Sequence, residues 1–112
     1  MITTRHKYEQ ISDTSSGVTV DAYATALDIN CAGYEQKFIL LKNTHLTASL
    51  TYKLDGYCVP GGILDSIISD TVLAPGEVDG ICYLDPHSEL ILSVKSSVGS
   101  TPSSYRVDYS MA

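Results

Sequence analysis

Apolar and polar residues alternate along this chain with a period of two, and turn-forming residues interrupt the alternation at short intervals. Val18-Thr19-Val20-Asp21-Ala22-Tyr23-Ala24, Leu50-Thr51-Tyr52-Lys53-Leu54 and Tyr105-Arg106-Val107-Asp108-Tyr109 each offer one face to a core and one to water. Two further runs, Lys37-Phe38-Ile39-Leu40-Leu41-Lys42 and Leu90-Ile91-Leu92-Ser93-Val94-Lys95, are apolar at most positions and too short for ordinary helices, which fits central strands. Asn43-Thr44, Asp55-Gly56, Pro60-Gly61-Gly62, Pro75-Gly76, Asp85-Pro86 and Gly99-Ser100-Thr101-Pro102 supply turn chemistry about every ten to fifteen residues. This rhythm predicts an all-β, antiparallel β-sandwich of about seven or eight strands, immunoglobulin-like or jelly-roll-like.

The strands are expected at 8–12, 18–27, 36–42, 49–54, 63–73 with a bend near Asp70, 78–83, 89–97 and 104–111. Residues 14–17, Thr-Ser-Ser-Gly, read as a loop. Single helical turns are the alternative at 26–34 and 64–69. The composition agrees with strands: Val, Ile, Leu, Tyr, Thr and Ser abound, Trp is absent and Phe38 is the sole Phe. With 112 residues and no shift in composition, one domain spanning 1–112 is expected, with residues 1–12 as a candidate extended arm.

Seven basic against thirteen acidic residues give a net charge of −6, spread along the whole chain. Such a surface repels phosphate backbones and anionic lipid, so neither nucleic acid nor membrane is an expected partner. The first residues, Met-Ile-Thr-Thr-Arg-His-Lys, lack the apolar centre of a secretory signal, so export is not expected.

No constellation announces chemistry. The glycines match no phosphate loop, and the nucleophile elbow, the two-His zinc helix and the EF-hand are absent. His6, His45 and His87 fall in a terminus or in turns with no second ligand nearby in sequence, and are expected at the surface. Asp65 with Asp70, or Asp79 with Asp85, lack the dense oxygen alternation of a calcium loop. A Cys58 or Cys82 thiol acting with His87 lacks the basic surroundings that would activate it. The expectation is a non-enzyme with no cofactor and no metal.

Cys31, Cys58 and Cys82 match no zinc spacing and are expected as buried, reduced thiols. The alternative is a Cys58–Cys82 bridge between the two Asp-Gly-x-Cys segments, worth roughly 3 kcal/mol if formed. The segment around Tyr57-Cys58-Val59-Pro60-Gly61-Gly62-Ile63 is the most apolar non-strand stretch, so Tyr57, Val59, Pro60 and Ile63 are candidate interaction residues. A fold-back of this loop onto the core is the alternative.

Phe38-Ile39-Leu40-Leu41-Lys42-Asn43-Thr44, Leu50-Thr51-Tyr52-Lys53-Leu54-Asp55-Gly56, Thr71-Val72-Leu73-Ala74-Pro75-Gly76-Glu77, Leu90-Ile91-Leu92-Ser93-Val94-Lys95-Ser96 and Tyr105-Arg106-Val107-Asp108 form a succession of strands and turns over residues 36–109. It resembles small β-sandwich virion proteins of tailed bacteriophages, including capsid decoration proteins. That resemblance implies a homo-oligomer, or repeated copies bound to a larger virion or shell protein, assembled in the host cytoplasm and located in the virion. It carries over no site residue. A carbohydrate- or surface-binding module, with tyrosines as stacking platforms, is the alternative function.

Overall fold

The computed structural model describes residues 11–112, which form eight antiparallel strands and no helix. They are β1 (Ile11–Val18), β2 (Ala24–Asn30), β3 (Lys37–Asn43), β4 (Leu50–Tyr57), β5 (Asp65–Leu73), β6 (Val78–Tyr83), β7 (Glu89–Ser96) and β8 (Ser104–Met111). The chain pairs as one long hairpin whose tip is the β4–β5 loop: β4 with β5, β3 with β6, β2 with β7 and β1 with β8. Rolling this hairpin up adds the β3–β8 and β4–β7 ladders. The result is two sheets, ordered β1-β8-β3-β6 and β2-β7-β4-β5. Eight strands in two sheets with these crossings make a jelly roll, which decides between the two sandwich types expected from sequence.

Period two places the core. On β3, Lys37, Ile39, Leu41 and Asn43 point in while Phe38, Leu40 and Lys42 point out. Leu50, Leu54, Leu90, Leu92 and Val94 face them from β4 and β7, and Val107 joins from β8. The central strands of each sheet carry most of this apolar burial, the main favourable term in folding. Asn43 is polar yet fully buried, because all its capacity is used. Its Nδ2 donates to Ala48 O at 2.8 Å and Leu73 O at 3.0 Å, and its Oδ1 accepts from His45 N at 2.9 Å and Ser103 Oγ at 3.0 Å.

Several sequence expectations are corrected. Residues 14–17 lie within β1 rather than in a loop, since a ladder uses main-chain groups that Thr-Ser-Ser-Gly supplies as well as any sequence. The strand expected over 18–27 is split. Val18 closes β1, residues 19–23 cross between the sheets, and β2 runs on to Asn30 through the first part of the candidate helical turn 26–34, whose last residues form a turn closed by Tyr34 N to Cys31 O at 3.1 Å. The second candidate turn, 64–69, is also strand apart from Leu64; β5 begins at Asp65, leaving Ile63 and Leu64 in the preceding loop. The bend near Asp70 is present as a register shift between Tyr52 and Leu54, opposite Ser69 and Asp70. The strand expected at 8–12 and the candidate arm lie outside the described residues except for Ile11 and Ser12, which begin β1.

Asp55-Gly56 is interior to β4 rather than a turn, and Asp79-Gly80 is interior to β6 as the strand expected at 78–83 requires. At Gly56 the reason is close packing: a Cβ there would stand 2.7 Å from His87 Cδ2 and 2.8 Å from Ile67 Cδ1. Of the thiols, Cys31 is buried as expected, whereas Cys58 and Cys82 are exposed. All three are free. Cys82 pairs with Phe38 on the outward face of its sheet, and Cys58 follows β4 in the other sheet, so the fold does not bring them to a bridge.

Candidate interaction surface

The 31–36, 58–64 and 84–88 loops lie together at one end of the sandwich, and hydrogen bonds stitch them to each other. Cys31 N donates to Ser88 O at 2.8 Å, Ser88 N to Tyr57 O at 2.8 Å, and the Ser88 hydroxyl to Cys58 O. From below, the buried Lys37 ammonium donates to Asp85 O at 2.7 Å and Tyr34 O at 3.3 Å, and lies 5.4 Å from the centre of the Tyr83 ring.

His87 is the centre of this end. It is buried rather than on the surface, correcting the sequence expectation. Its Nδ1 lies 2.6 Å from the Tyr83 hydroxyl and its Nε2 2.9 Å from Asp65 Oδ2. With both ring nitrogens engaged, the imidazole ties β5, β6 and the 84–88 loop together and offers no free nitrogen to a metal or substrate. Burial, followed by the Asp85 and Asp65 carboxylates, pushes the Tyr83 hydroxyl up to about 12, the opposite of what an activated phenol would need. Burial likewise pushes the Cys31 thiol up. His45, in contrast, stays in a turn, where its Nδ1 accepts from Thr47 N at 3.1 Å and Ala48 N at 2.9 Å.

Upon this pinned base stands an apolar tip. Val59-Pro60-Gly61-Gly62 closes as a turn through Gly62 N to Val59 O at 2.9 Å, with Pro in the second position and Gly61 at φ +72° in the third. That is the residue pattern of a type II turn. It leaves Val59 60%, Ile63 92% and Leu64 51% exposed, and Leu84 from the neighbouring loop is 63% exposed. Of the residues singled out from sequence, Val59, Pro60 and Ile63 are therefore exposed, while Tyr57 is half-buried at the end of β4. The fold-back alternative is not what the loop does. Leu64, Leu84, Asp65 and His87 complete this end without having been marked by sequence spacing. Asp65 and His87 lie 22 positions apart and meet only through the β4–β5 and β6–β7 connections.

A second apolar feature lies on the outer face of the β1-β8-β3-β6 sheet, where Phe38, Leu40 and Val78 are exposed. A shallow groove of about 390 Å³ runs there between Phe38, Leu40 and Tyr109 and the polar Thr14, Arg106 and Asp108. Among the described residues no three His, Cys, Asp or Glu side chains converge as metal ligands would.

No family model matches the chain. No curated protein matches it either. Solved structures do share its fold. A subunit of the disulfide-linked pili that form Bacillus endospore appendages is 11% identical, with a TM-score of 0.61 over 93% of this chain and 87% of its own. The Yersinia pseudotuberculosis-derived mitogen is 16% identical, with a TM-score of 0.62 over 90% and 86%. The pre-peptidase C-terminal domain of a Bacillus anthracis collagenase is 13% identical, with a TM-score of 0.59 over 88% and 89%. At such identities the likeness is one of fold.

Proposed function

We propose that this protein is a non-enzymatic structural or accessory virion component of the capsid-decoration kind, working through contacts with further copies of itself and with a larger shell protein. The observation that carries this reading is the apolar tip formed by Val59, Ile63 and Leu64, with Leu84 exposed on the loop hydrogen-bonded to it. Burying such a group against a partner removes apolar area from water, and loops already pinned lose little conformational freedom on binding. The jelly roll is frequent in viral capsid domains, an analogy of fold that agrees with the strand-and-turn resemblance to phage virion proteins. Jelly rolls also occur in lectins, but all seven described tyrosines are at least partly buried, which favours protein assembly over sugar stacking.

The test is molar mass by size-exclusion chromatography with light scattering over a wide concentration range, followed by co-sedimentation with purified shells. The wild-type chain is expected to form a defined oligomer or to travel with shells, and Ile63→Asp/Leu84→Asp to stop travelling with shells. A protein that stays monomeric and ignores shells would overturn the reading and bring the carbohydrate-binding module forward.

A further inference from the structure

β1 contributes almost nothing to the core. Its inward row is Ile11, Asp13, Ser15 and Gly17 and its outward row Ser12, Thr14, Ser16 and Val18; only Gly17 is even partly buried. The strand is held by an unbroken eight-residue ladder to β8, by the Thr14 hydroxyl bound to Asp108 Oδ1 at 2.6 Å, and by Tyr105 lying over Gly17. Directly behind it the chain is nailed down. Thr19 is buried, with its N donating to Ser103 O at 2.8 Å, its Oγ1 2.9 Å from Ser96 Oγ and accepting from Ser103 N at 2.7 Å. The boundary between a strand bound only along its edge and a residue fixed in the core is thus the single step from Val18 to Thr19.

We infer that β1 is an exchangeable strand: it leaves its own β8 and pairs with β8 of a second copy of the chain. Every contact β1 makes at home is remade identically on the second copy, because the acceptor edge is the same sequence in the same register. Leaving uncovers little apolar surface, so the main barrier is the ladder itself. Extended, the strand measures roughly 26 Å at about 3.3 Å per residue, the length of the ladder it leaves, so β8 of the second copy must begin beside the Thr19 anchor. Reciprocal exchange closes a two-fold dimer, and one-way exchange propagates a chain of subunits. The inference deepens the assembly reading by naming a second copy as one partner, and its failure can be told from failure of the apolar tip.

The experiment locks β1 at home. Ser12→Cys and Ser110→Cys, whose Cα atoms are register partners, are combined with Cys58→Ser and Cys82→Ser to remove the exposed native thiols. The full-length chain is refolded at high concentration, oxidised or reduced, and its molar mass measured, with the intrachain bond verified by mass. The unlocked and reduced proteins are expected to show a dimer or larger species, and the oxidised one a monomer that regains the dimer on reduction. Should the bond fail to form, Ser12→Cys and Ser110→Cys are placed on separate chains and linked with a short bismaleimide, which must then give a covalent heterodimer. An oligomer that persists with β1 locked but is abolished by Ile63→Asp/Leu84→Asp would overturn exchange while leaving the apolar tip standing. A chain that remains monomeric unlocked, even after refolding at high concentration, would also overturn it.

Discussion

The Tyr52 hydroxyl on β4 donates at 2.6 Å to Asp79 Oδ2 on β6, so the carboxylate that this edge strand turns inward is met by a donor from the opposite sheet. An inward-facing charge protects an edge strand from pairing with other chains, and Tyr52 lets it do so within the fold. Tyr52→Phe leaves Asp79 without that donor and is expected to lower stability by about 1.5–3 kcal/mol, the usual contribution of a hydrogen bond to a charged group. Urea unfolding of Tyr52→Phe, Asp79→Asn and the double variant checks this. Additive losses would show that the two residues do not act as a pair.

The same contact predicts alkaline sensitivity. Burial, reinforced by a neighbouring aspartate in each case, raises the hydroxyl pKa of Tyr23 beside Asp70 and of Tyr52 beside Asp79; Tyr83 reaches about 12. An unfolded tyrosine ionises near pH ~10. Above that pH the unfolded chain has released protons the folded chain still holds, so stability is full below pH ~10 and falls as pH rises through the folded values. The urea midpoint is expected to drop between pH 9 and 11, less steeply in Tyr52→Phe. A flat or rising midpoint would contradict the assignment.

Asn43 joins the end of β3 to the 44–49 loop, the end of β5 and the 97–103 loop through four hydrogen bonds. Asn43→Ala strands buried groups on several segments at once and is expected to cost roughly 2–4 kcal/mol, since each buried group left unpartnered costs about 1–3. Asn43→Asp should be as harmful at neutral pH, because it turns a carboxylate oxygen toward two carbonyls. Thermal melting of both variants provides the measurement.

What the sequence revealed follows from where side chains decide structure. β3, β4, β7 and β8 pack on the core, so burial leaves its mark as alternation in Leu50–Leu54 and Tyr105–Tyr109 and as short apolar runs in Phe38–Leu41 and Leu90–Val94. β1 was illegible because nothing buries its side chains, and Thr-Ser-Ser-Gly carries no mark of a ladder made by the main chain. Val18-Thr19-Val20 alternates like a strand, yet Thr19 is the buried residue of the three, bound to Ser96 and Ser103 far along the chain. The apolar tip was readable as composition in Val59, Pro60 and Ile63. Its support by His87 was not, because Asp65 comes to it only through the rolled hairpin.

Thiol reactivity separates two of the cysteines from the third. Cys58 and Cys82 are exposed and free, while Cys31 is buried with its Sγ donating to His87 O at 3.2 Å and its pKa raised by burial. A thiol-reactive dye at neutral pH is therefore expected to modify two thiols per folded chain quickly and the third only on unfolding. Rapid modification of all three would show that the end around His87 opens readily.

Ile63→Asp/Leu84→Asp distinguishes a surface that binds from one that merely supports the fold. Ile63 is 92% and Leu84 63% exposed, so replacing them removes little burial and should change stability by no more than about 0.5 kcal/mol. His87→Ala acts in the opposite way, removing the partner of Tyr83 and Asp65 and loosening the base of the loops. The expected pattern is that the double aspartate variant melts like wild type yet no longer binds shells, whereas His87→Ala melts lower and binds them more weakly only because its loops are less ordered. If the double variant unfolded as readily as His87→Ala, the apolar tip would be packing inside its own fold, and the assembly reading would lose the surface on which it stands.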